Sequence, residues 1–281
     1  MGKEKLVEIG EEVSEFLKDL GNVRAAAFYG SIGLGYHDEE SDIDIVVYVD
    51  SLPGENKRSE ILEERVNGFE TQIDWMDIFH YRNVEFSLAY REISDLESDI
   101  DNHSSGDIAT FIQNVKPIFD DGTVSRLRGE IENYPKEIRE GKKVELRGVT
   151  GLFRDIEKFL EREQIAYIYS NFHTCLERII KLVYSVNERY YPDDSLKWLD
   201  REMDRMNRVP EDIMEDVEEF VELGGVKNIP ERLEILKKML FSVLNVLENY
   251  DRDNLNIKDE EWYDDRIQGI RQAIESHGYM D

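Results

Sequence analysis

Four residues near the start of the chain have the types and spacing that could do phosphate and metal chemistry. Gly30 and Ser31 follow a short apolar run, while Asp42 and Asp44 open a second apolar run. Side chains two residues apart on a strand point to the same face, so the two aspartates are predicted to lie side by side. Paired carboxylates suit Mg²⁺, which takes one or two of them and leaves its other positions to phosphate and water.

The Gly-Ser pair adds a place for a phosphate. Gly30 has no side chain, so a phosphate could approach the backbone there. Ser31 offers a hydroxyl and a main-chain N–H at the start of the next segment. Gly33 and Gly35 are predicted to keep the following loop open. Alternating acids alone are common on surface strands, but a strand that ends in this turn makes a nucleotide site the better interpretation.

The order of strand, Gly-Ser turn, loop and strand with Asp-x-Asp resembles the nucleotidyltransferase superfamily that includes DNA polymerase beta. The resemblance implies a nucleoside triphosphate, with ATP as the expected co-substrate, and two Mg²⁺ ions. The loop over residues 32–35 departs from the superfamily because it lacks the basic residue that many members place there. We therefore expect Lys or Arg from the C-terminal half of the chain to bind the phosphates.

A two-metal site needs a third carboxylate to complete its ligands. Asp74, Asp77 and Glu85 are candidates, since each lies in an apolar segment where an acid is unusual. For the first two, an edge strand whose acids face water is the other interpretation.

A closer resemblance favours one of the three acids. The stretches Val84-Glu85-Phe86, Tyr90-Arg91-Glu92-Ile93 and Pro117-Ile118-Phe119-Asp120-Asp121-Gly122 resemble the kanamycin (aminoglycoside) nucleotidyltransferases. In that family the glutamate of the first stretch completes the metal site. The resemblance thus implies that Glu85 joins Asp42 and Asp44 as a metal ligand, with Asp77 and then Asp74 as alternatives.

The same resemblance implies a general base on the first helix of the C-terminal domain. The corresponding helix contains Glu157, our expected base, and Asp155 as the alternative. A solvent-facing helix surface in an acidic protein explains these residues equally well. A base must also lie within hydrogen-bond reach of its proton, and the sequence does not show whether either residue does.

The apolar pattern changes along the chain. Residues 1–124 carry a helical pattern and then strand signals, including runs at 42–49, 71–79 and 84–90, whereas strand signals nearly vanish after about residue 125. The expected fold is α+β. A nucleotidyltransferase catalytic domain, with a small mixed sheet and flanking helices, covers 1–124, and an all-α substrate-binding domain covers 125–281.

Charge and composition restrict the class of partner. The formal net charge is −28, from 35 basic and 63 acidic residues. This disfavours nucleic acid, whose binding depends on Lys and Arg, and it suits a cationic acceptor or a highly soluble surface. The single cysteine, Cys175, excludes an intrachain disulfide. No apolar run approaches the length of a membrane span and the N-terminus lacks the apolar block of a signal peptide, so the expected location is the cytoplasm.

Together these features predict a metal-dependent enzyme that transfers a nucleoside monophosphate from a nucleoside triphosphate to a small hydroxyl compound. The expected acceptor is an aminoglycoside-like amine, and pyrophosphate is released. Two alternatives stay open: a protein AMP-transferase of the toxin–antitoxin type, and a nucleotide-binding module that has lost catalysis. A homodimer is compatible with the sequence.

Overall fold

The structure is a computed structural model that describes residues 2–135, 148–156, 158–192 and 195–254. The chain divides into two compact units, Met1–Asn133 and Tyr134–Asp281. Each unit is described by itself below.

The first unit contains a sheet and the helices that flank it. Its strands are β1 Val23–Phe28, β2 Ile43–Val49, β3 Asn67–Ile73, β4 Met76–Tyr81, β5 Val84–Glu92 and β6 Lys116–Asp120. Its helices are α1 Lys3–Leu17, α2 Gly30–Leu34, α3 Glu55–Leu62, α4 Ile93–Asp101, α5 Ser105–Ile108 and α6 Thr123–Glu130. A π-helical turn, Ala109–Gln113, precedes β6. Within the described residues the six strands form one sheet in the order β3-β4-β5-β2-β1-β6.

The sheet is mixed, because β2 and β5 run parallel while the other neighbouring strands are antiparallel. β2 lies inside the sheet and, apart from Asp44, is apolar on both faces, as expected for a strand covered on both sides. Ile43, Ile45 and Val47 belong to a core cluster that includes the buried side chains of α1. On the other face, the hydroxyl of Tyr48 donates to the carbonyl oxygen of Phe111 at 2.6 Å, which ties the π-helical turn to the sheet.

Two segments differ from their predicted form. The apolar run at 71–79 is divided between β3 and β4 by a turn at residues 74–75, with Ile73 paired to Met76. The glycine-containing segment after β1 forms the short helix α2 instead of an open loop.

The second unit is helical in its described residues. Residues 148–156 and 158–160 are helical, followed by α7 Ile165–Val186, α8 Leu199–Met203, α9 Ile213–Glu222 and α10 Ile229–Asn254. α7 is amphipathic, and its buried side chains join those of α9 and α10 in one core cluster. The predicted α+β class, with a mixed sheet followed by a helical region, is confirmed. Within the described ranges, none of the helices combines the length and apolar character needed to cross a membrane.

Candidate active site

The two halves of the sequence motif meet where β1 ends and β2 begins. The N–H of Tyr29 donates to the carbonyl oxygen of Asp44 at 3.0 Å, which aligns the turn after β1 with the start of β2. Gly30 has a φ of +57°, in the left-handed region that favours glycine. A Cβ at Gly30 would lie 3.2 Å from the Cγ of Asp44 and would overlap its Oδ2. The Asp44 carboxylate therefore lies directly against the Gly30 backbone.

Ser31 carries a buried hydroxyl beside this contact. The residue is only 7% exposed, and its Oγ has no hydrogen-bond partner within the described part of the chain. Its carbonyl oxygen accepts the N–H groups of Tyr36 and His37 at 2.7 and 3.1 Å, which fixes the segment after α2. A buried polar group without a partner is destabilising by about 1–3 kcal/mol. The orphaned hydroxyl is thus a feature that a bound ligand would explain.

Gly33 has a packing role that differs from the predicted one. A Cβ there would lie 2.6 Å from the carbonyl oxygen of Asn114 and 2.8 Å from that of Phe28. The absence of a side chain therefore lets α2 pack closely against the backbone that flanks β1 and β6. Gly35, with a φ of +77°, ends α2.

The register between β2 and β5 places further polar residues on the face of Asp44. In the parallel ladder, Ile43 is aligned with Phe86 and Asp44 with Ser87. Aligned residues share a face, so Glu85, two residues before Ser87, lies on that face as well. Asp42 directly precedes β2 and is exposed.

Glu85 contacts a histidine of the neighbouring strand. Its Oε2 lies 3.6 Å from the Nε2 of His80, and both side chains are about half exposed. No group of three or more His, Cys, Asp or Glu side chains that could hold a metal ion is found in the described ranges. The role of Glu85 as the third metal ligand, with Asp42 and Asp44, stays a prediction.

Asp77 lies on the opposite face of the sheet from Asp44. It is aligned with Leu88, which is aligned with Ile45. Its side chain is fully buried, and its Oδ2 lies 3.0 Å from the Nε of Arg58. Burial raises the pKa of the Asp77 carboxyl, while the charge of Arg58 opposes that rise. Asp77 therefore neither faces the site nor faces water.

The buried Arg58 guanidinium contacts several groups on the face of the sheet that carries Asp77. It is 1% exposed and donates to the carbonyl oxygens of Pro53 and Asp74 at 2.9 and 2.7 Å. It also lies 5.0 Å from the ring centroid of Tyr90. The exposed side chain of Asp74, the other alternative ligand, lies in the turn between β3 and β4. No local pattern marks Arg58 as a buried residue, but the acid within the apolar run at 71–79 was a signal that a buried partner exists.

The two candidate bases fall in the second unit. Glu157, our expected general base, lies outside the described residues. Asp155 is partly buried in the helical residues 148–156.

The residues of the first unit fit a Mg²⁺-bound triphosphate. The space at Gly30 and the orphaned hydroxyl of Ser31 suit a phosphate group. Asp42 and Asp44 carry the hard carboxylate oxygens that Mg²⁺ prefers and would hold the ion, while the triphosphate and water would supply its other ligands.

Comparison with known proteins identifies this part of the chain. Residues 11–97 match the family described as "Polymerase beta, Nucleotidyltransferase". Over this stretch the chain is similar to the nucleotidyltransferases. The matched stretch contains the Gly-Ser turn, Asp42, Asp44 and Glu85, and the protein is an enzyme of the nucleotidyltransferase class. Residues 103–199 match a second family, a domain of unknown function (DUF4037), which spans the division between the two units. None of the curated proteins matches the sequence.

Solved structures of low similarity cover most of this nucleotidyltransferase. A nucleotidyltransferase-like protein from Exiguobacterium sibiricum is 12% identical with a TM-score of 0.43, over 95% of this chain and 88% of that one. A c-di-GMP synthase, CdnE, from Capnocytophaga granulosa is 16% identical with a TM-score of 0.31, over 89% and 82%. A CCA-adding enzyme in complex with ATP is 15% identical with a TM-score of 0.31, over 98% and 71%. Because their sequence identities and TM-scores are this low, these three structures carry no argument about the substrates of this protein.

Proposed function

We propose that the protein transfers a nucleoside monophosphate from a nucleoside triphosphate to the hydroxyl of a small acceptor and releases pyrophosphate. The observation that supports this most directly is the contact between the Asp44 carboxylate and Gly30, beside the orphaned hydroxyl of Ser31. In this contact, a side chain of the kind that binds metal ions lies next to a turn of the kind that binds phosphate.

The residues of the first unit would act on the triphosphate. Gly30 and Ser31 would bind the β- and γ-phosphates, and Asp42, Asp44 and Glu85 would hold two Mg²⁺ ions. When bound, the metal ions would offset the charge that develops on the entering and leaving oxygens. This arrangement suits an in-line displacement at the α-phosphorus.

The displacement needs only the nucleoside triphosphate and the acceptor as reactants. The acceptor hydroxyl oxygen forms a bond to the α-phosphorus, and the bond from that phosphorus to the α,β-bridging oxygen breaks. Pyrophosphate leaves with the electron pair of the broken bond. The proton of the acceptor hydroxyl passes to a carboxylate, for which Glu157, with Asp155 as the alternative, is our proposed base.

The proposed acceptor is a small, amine-bearing hydroxyl compound of the aminoglycoside kind. The net charge of −28 supports a cationic acceptor and weighs against a nucleic acid, because the phosphates of a nucleic acid would be repelled. The resemblance of the stretch around Glu85 to the aminoglycoside nucleotidyltransferases supports the same class.

A pyrophosphate-release screen tests this proposal. Each of the four ribonucleoside triphosphates is supplied with Mg²⁺ and with aminoglycosides, uncharged polyols, a tRNA transcript or a hydroxyl-bearing peptide. We expect release that depends on an amine-bearing acceptor. Release with the tRNA or the peptide alone would contradict the proposed acceptor, and the peptide result would support the protein AMP-transferase. Failure of every combination, with nucleotide still bound, would favour the inactive binding module.

A further inference from the structure

A serine on β5 lies next to Asp44 and has no part in the predicted site. In the parallel ladder Ser87 is aligned with Asp44, and on its other side it is aligned with Ile78 of β4. Its position inside the sheet fixes its backbone relative to the carboxylate that lies against Gly30. A group bound at the Asp44 carboxylate would therefore lie on the same face of the sheet as the side chain of Ser87.

Ser87 differs from its neighbours on the same strand. The adjacent residues Phe86 and Leu88 point into the apolar core on the other face and are fully buried. Ser87 is only partly buried, and in the described residues no partner forms a hydrogen bond with its hydroxyl. A strand in this position favours β-branched or aromatic residues, which would pack against Asp44 and Ile78. Serine is smaller than these residues and carries a hydroxyl, so it offers a hydrogen-bond donor on the face of Asp44.

We propose that Ser87 is a nucleotide-binding residue whose hydroxyl donates a hydrogen bond to a phosphate oxygen of the bound triphosphate. The proposal rests on the proposed function, because it assigns a contact to the same site. Ser31 and Ser87 then contact the nucleotide from two sides of the Asp44 carboxylate. Ser31 does so from the turn after β1 and Ser87 from β5.

The proposal accounts for the choice of residue at this position. Alanine would leave the same space without a donor, whereas threonine would keep the donor and suit a strand better than serine does. The two variants thus separate the hydroxyl from the space around it. Hydrogen bonds to charged groups are stronger than neutral ones, so loss of the donor should weaken nucleotide binding by about tenfold or more.

The test measures binding and does not depend on the acceptor. Isothermal titration calorimetry in the presence of Mg²⁺ compares the intact wild-type chain with Ser87→Ala and Ser87→Thr, using the α,β-methylene analogues of the four nucleoside triphosphates. For the analogue that binds best, we expect a Kd about tenfold higher for Ser87→Ala and a Kd within about threefold of wild type for Ser87→Thr. Ser59→Ala is the matched control, because among the described residues the Ser59 hydroxyl donates only to the carboxylate of Glu63, which directly follows α3, and its Kd should not change.

Each outcome has a separate meaning. Equal Kd values for the wild type and Ser87→Ala would overturn the role of Ser87 and leave the proposed function standing. Equal weakening in Ser87→Ala and Ser87→Thr would also overturn it, because the hydroxyl would then not be the cause. Failure of the wild type to bind any of the four analogues would contradict the proposed function itself. Thermal unfolding of all variants establishes that they are folded.

Discussion

At the scale of single residues, Gly30 is the position that the account depends on most closely. A side chain there would be strained by the φ of +57° and would also displace the carboxylate of Asp44. We expect Gly30→Ala to destabilise the fold by about 1–2 kcal/mol through left-handed strain and to abolish detectable nucleotide binding. Calorimetry with a nucleotide analogue and chemical denaturation measure the two effects.

Gly68 provides the control for that prediction. It has a φ of +64°, yet a Cβ there would meet nothing within 4 Å. Gly68→Ala should therefore be destabilising to a similar extent without any change in nucleotide affinity. An equal loss of affinity in both variants would show that strain, and not the contact with Asp44, is responsible.

The second prediction for single residues concerns the negative charges of Asp42 and Asp44. Asp42→Asn and Asp44→Asn each keep the shape of the side chain and remove the negative charge that a metal ion needs. We expect each variant to lose at least about a thousandfold in kcat/KM, equivalent to about 4 kcal/mol of transition-state stabilisation. The unfolding midpoint should stay close to that of the wild type. Retained activity in both variants would contradict the mechanism.

Part of this site could be predicted from residue types alone. The Gly-Ser turn and the two aspartates were recognisable because their spacing implies a strand on each side. The close approach of Gly30 to Asp44, and the packing role of Gly33, depend on how two separate segments meet in space. No local sequence pattern encodes such a contact, so the structure was needed to show it.

At the scale of secondary-structure elements, the buried Arg58–Asp77 pair connects α3 to β4. Removing one partner leaves an uncompensated charge inside the protein, which typically destabilises by about 3–5 kcal/mol. We expect Asp77→Ala to lower the free energy of unfolding by about that amount. The double variant Arg58→Met with Asp77→Leu should be less destabilised, because neither partner remains charged. Additive losses in the double variant, measured by urea denaturation, would contradict a coupled pair.

The last residue of β6, Asp120, carries a carboxylate that makes stability depend on pH. Burial alone would raise the pKa of Asp120. Hydrogen bonds from the backbone N–H of Val124, from the Ser125 hydroxyl and from the N–H groups of Gly122 and Ser125 outweigh this and lower it below 3.8. A carboxylate with a lowered pKa stabilises the fold above its unfolded pKa, and that contribution is lost as the pH falls through the folded pKa.

Asp120→Asn isolates this contribution. At neutral pH the variant should be less stable by about 1 kcal/mol, as is typical for loss of a capping group. The difference from the wild type should shrink as the pH falls below about 4, the ordinary pKa of an aspartate, and through the lower pKa of the folded state. Thermal unfolding from pH 7 to pH 2.5 measures it. A difference that stays constant over this range would rule out the charged cap.

The apolar run at 71–79 shows a limit of prediction from sequence patterns. The run at 71–79 predicted one strand, but a turn at residues 74–75 divides it. This division sets which face Asp77 occupies, because a shift of one residue moves a side chain to the other face. The strands on either side of the motif were predictable since their apolar runs are continuous, whereas the face of Asp77 depended on a turn that the pattern did not reveal.

At the scale of the whole molecule, the net charge of −28 is the feature that bears most directly on stability. Repulsion between like charges destabilises the compact state, and salt screens it over a Debye length of about 10 Å at 0.1 M. We expect the unfolding temperature to rise between 0.02 and about 0.5 M NaCl. A fall would contradict dominance of repulsion. Parallel scans with an equal concentration of sucrose control for changes in water activity.

The central claim is that a nucleoside monophosphate, and not a phosphoryl group, is transferred. Parallel reactions with α-³²P- and γ-³²P-labelled nucleoside triphosphate, Mg²⁺ and the acceptor identified by pyrophosphate release measure this directly. We expect the α-label to appear in the acceptor and the γ-label to be recovered entirely as pyrophosphate. Transfer of the γ-label to the acceptor would contradict it.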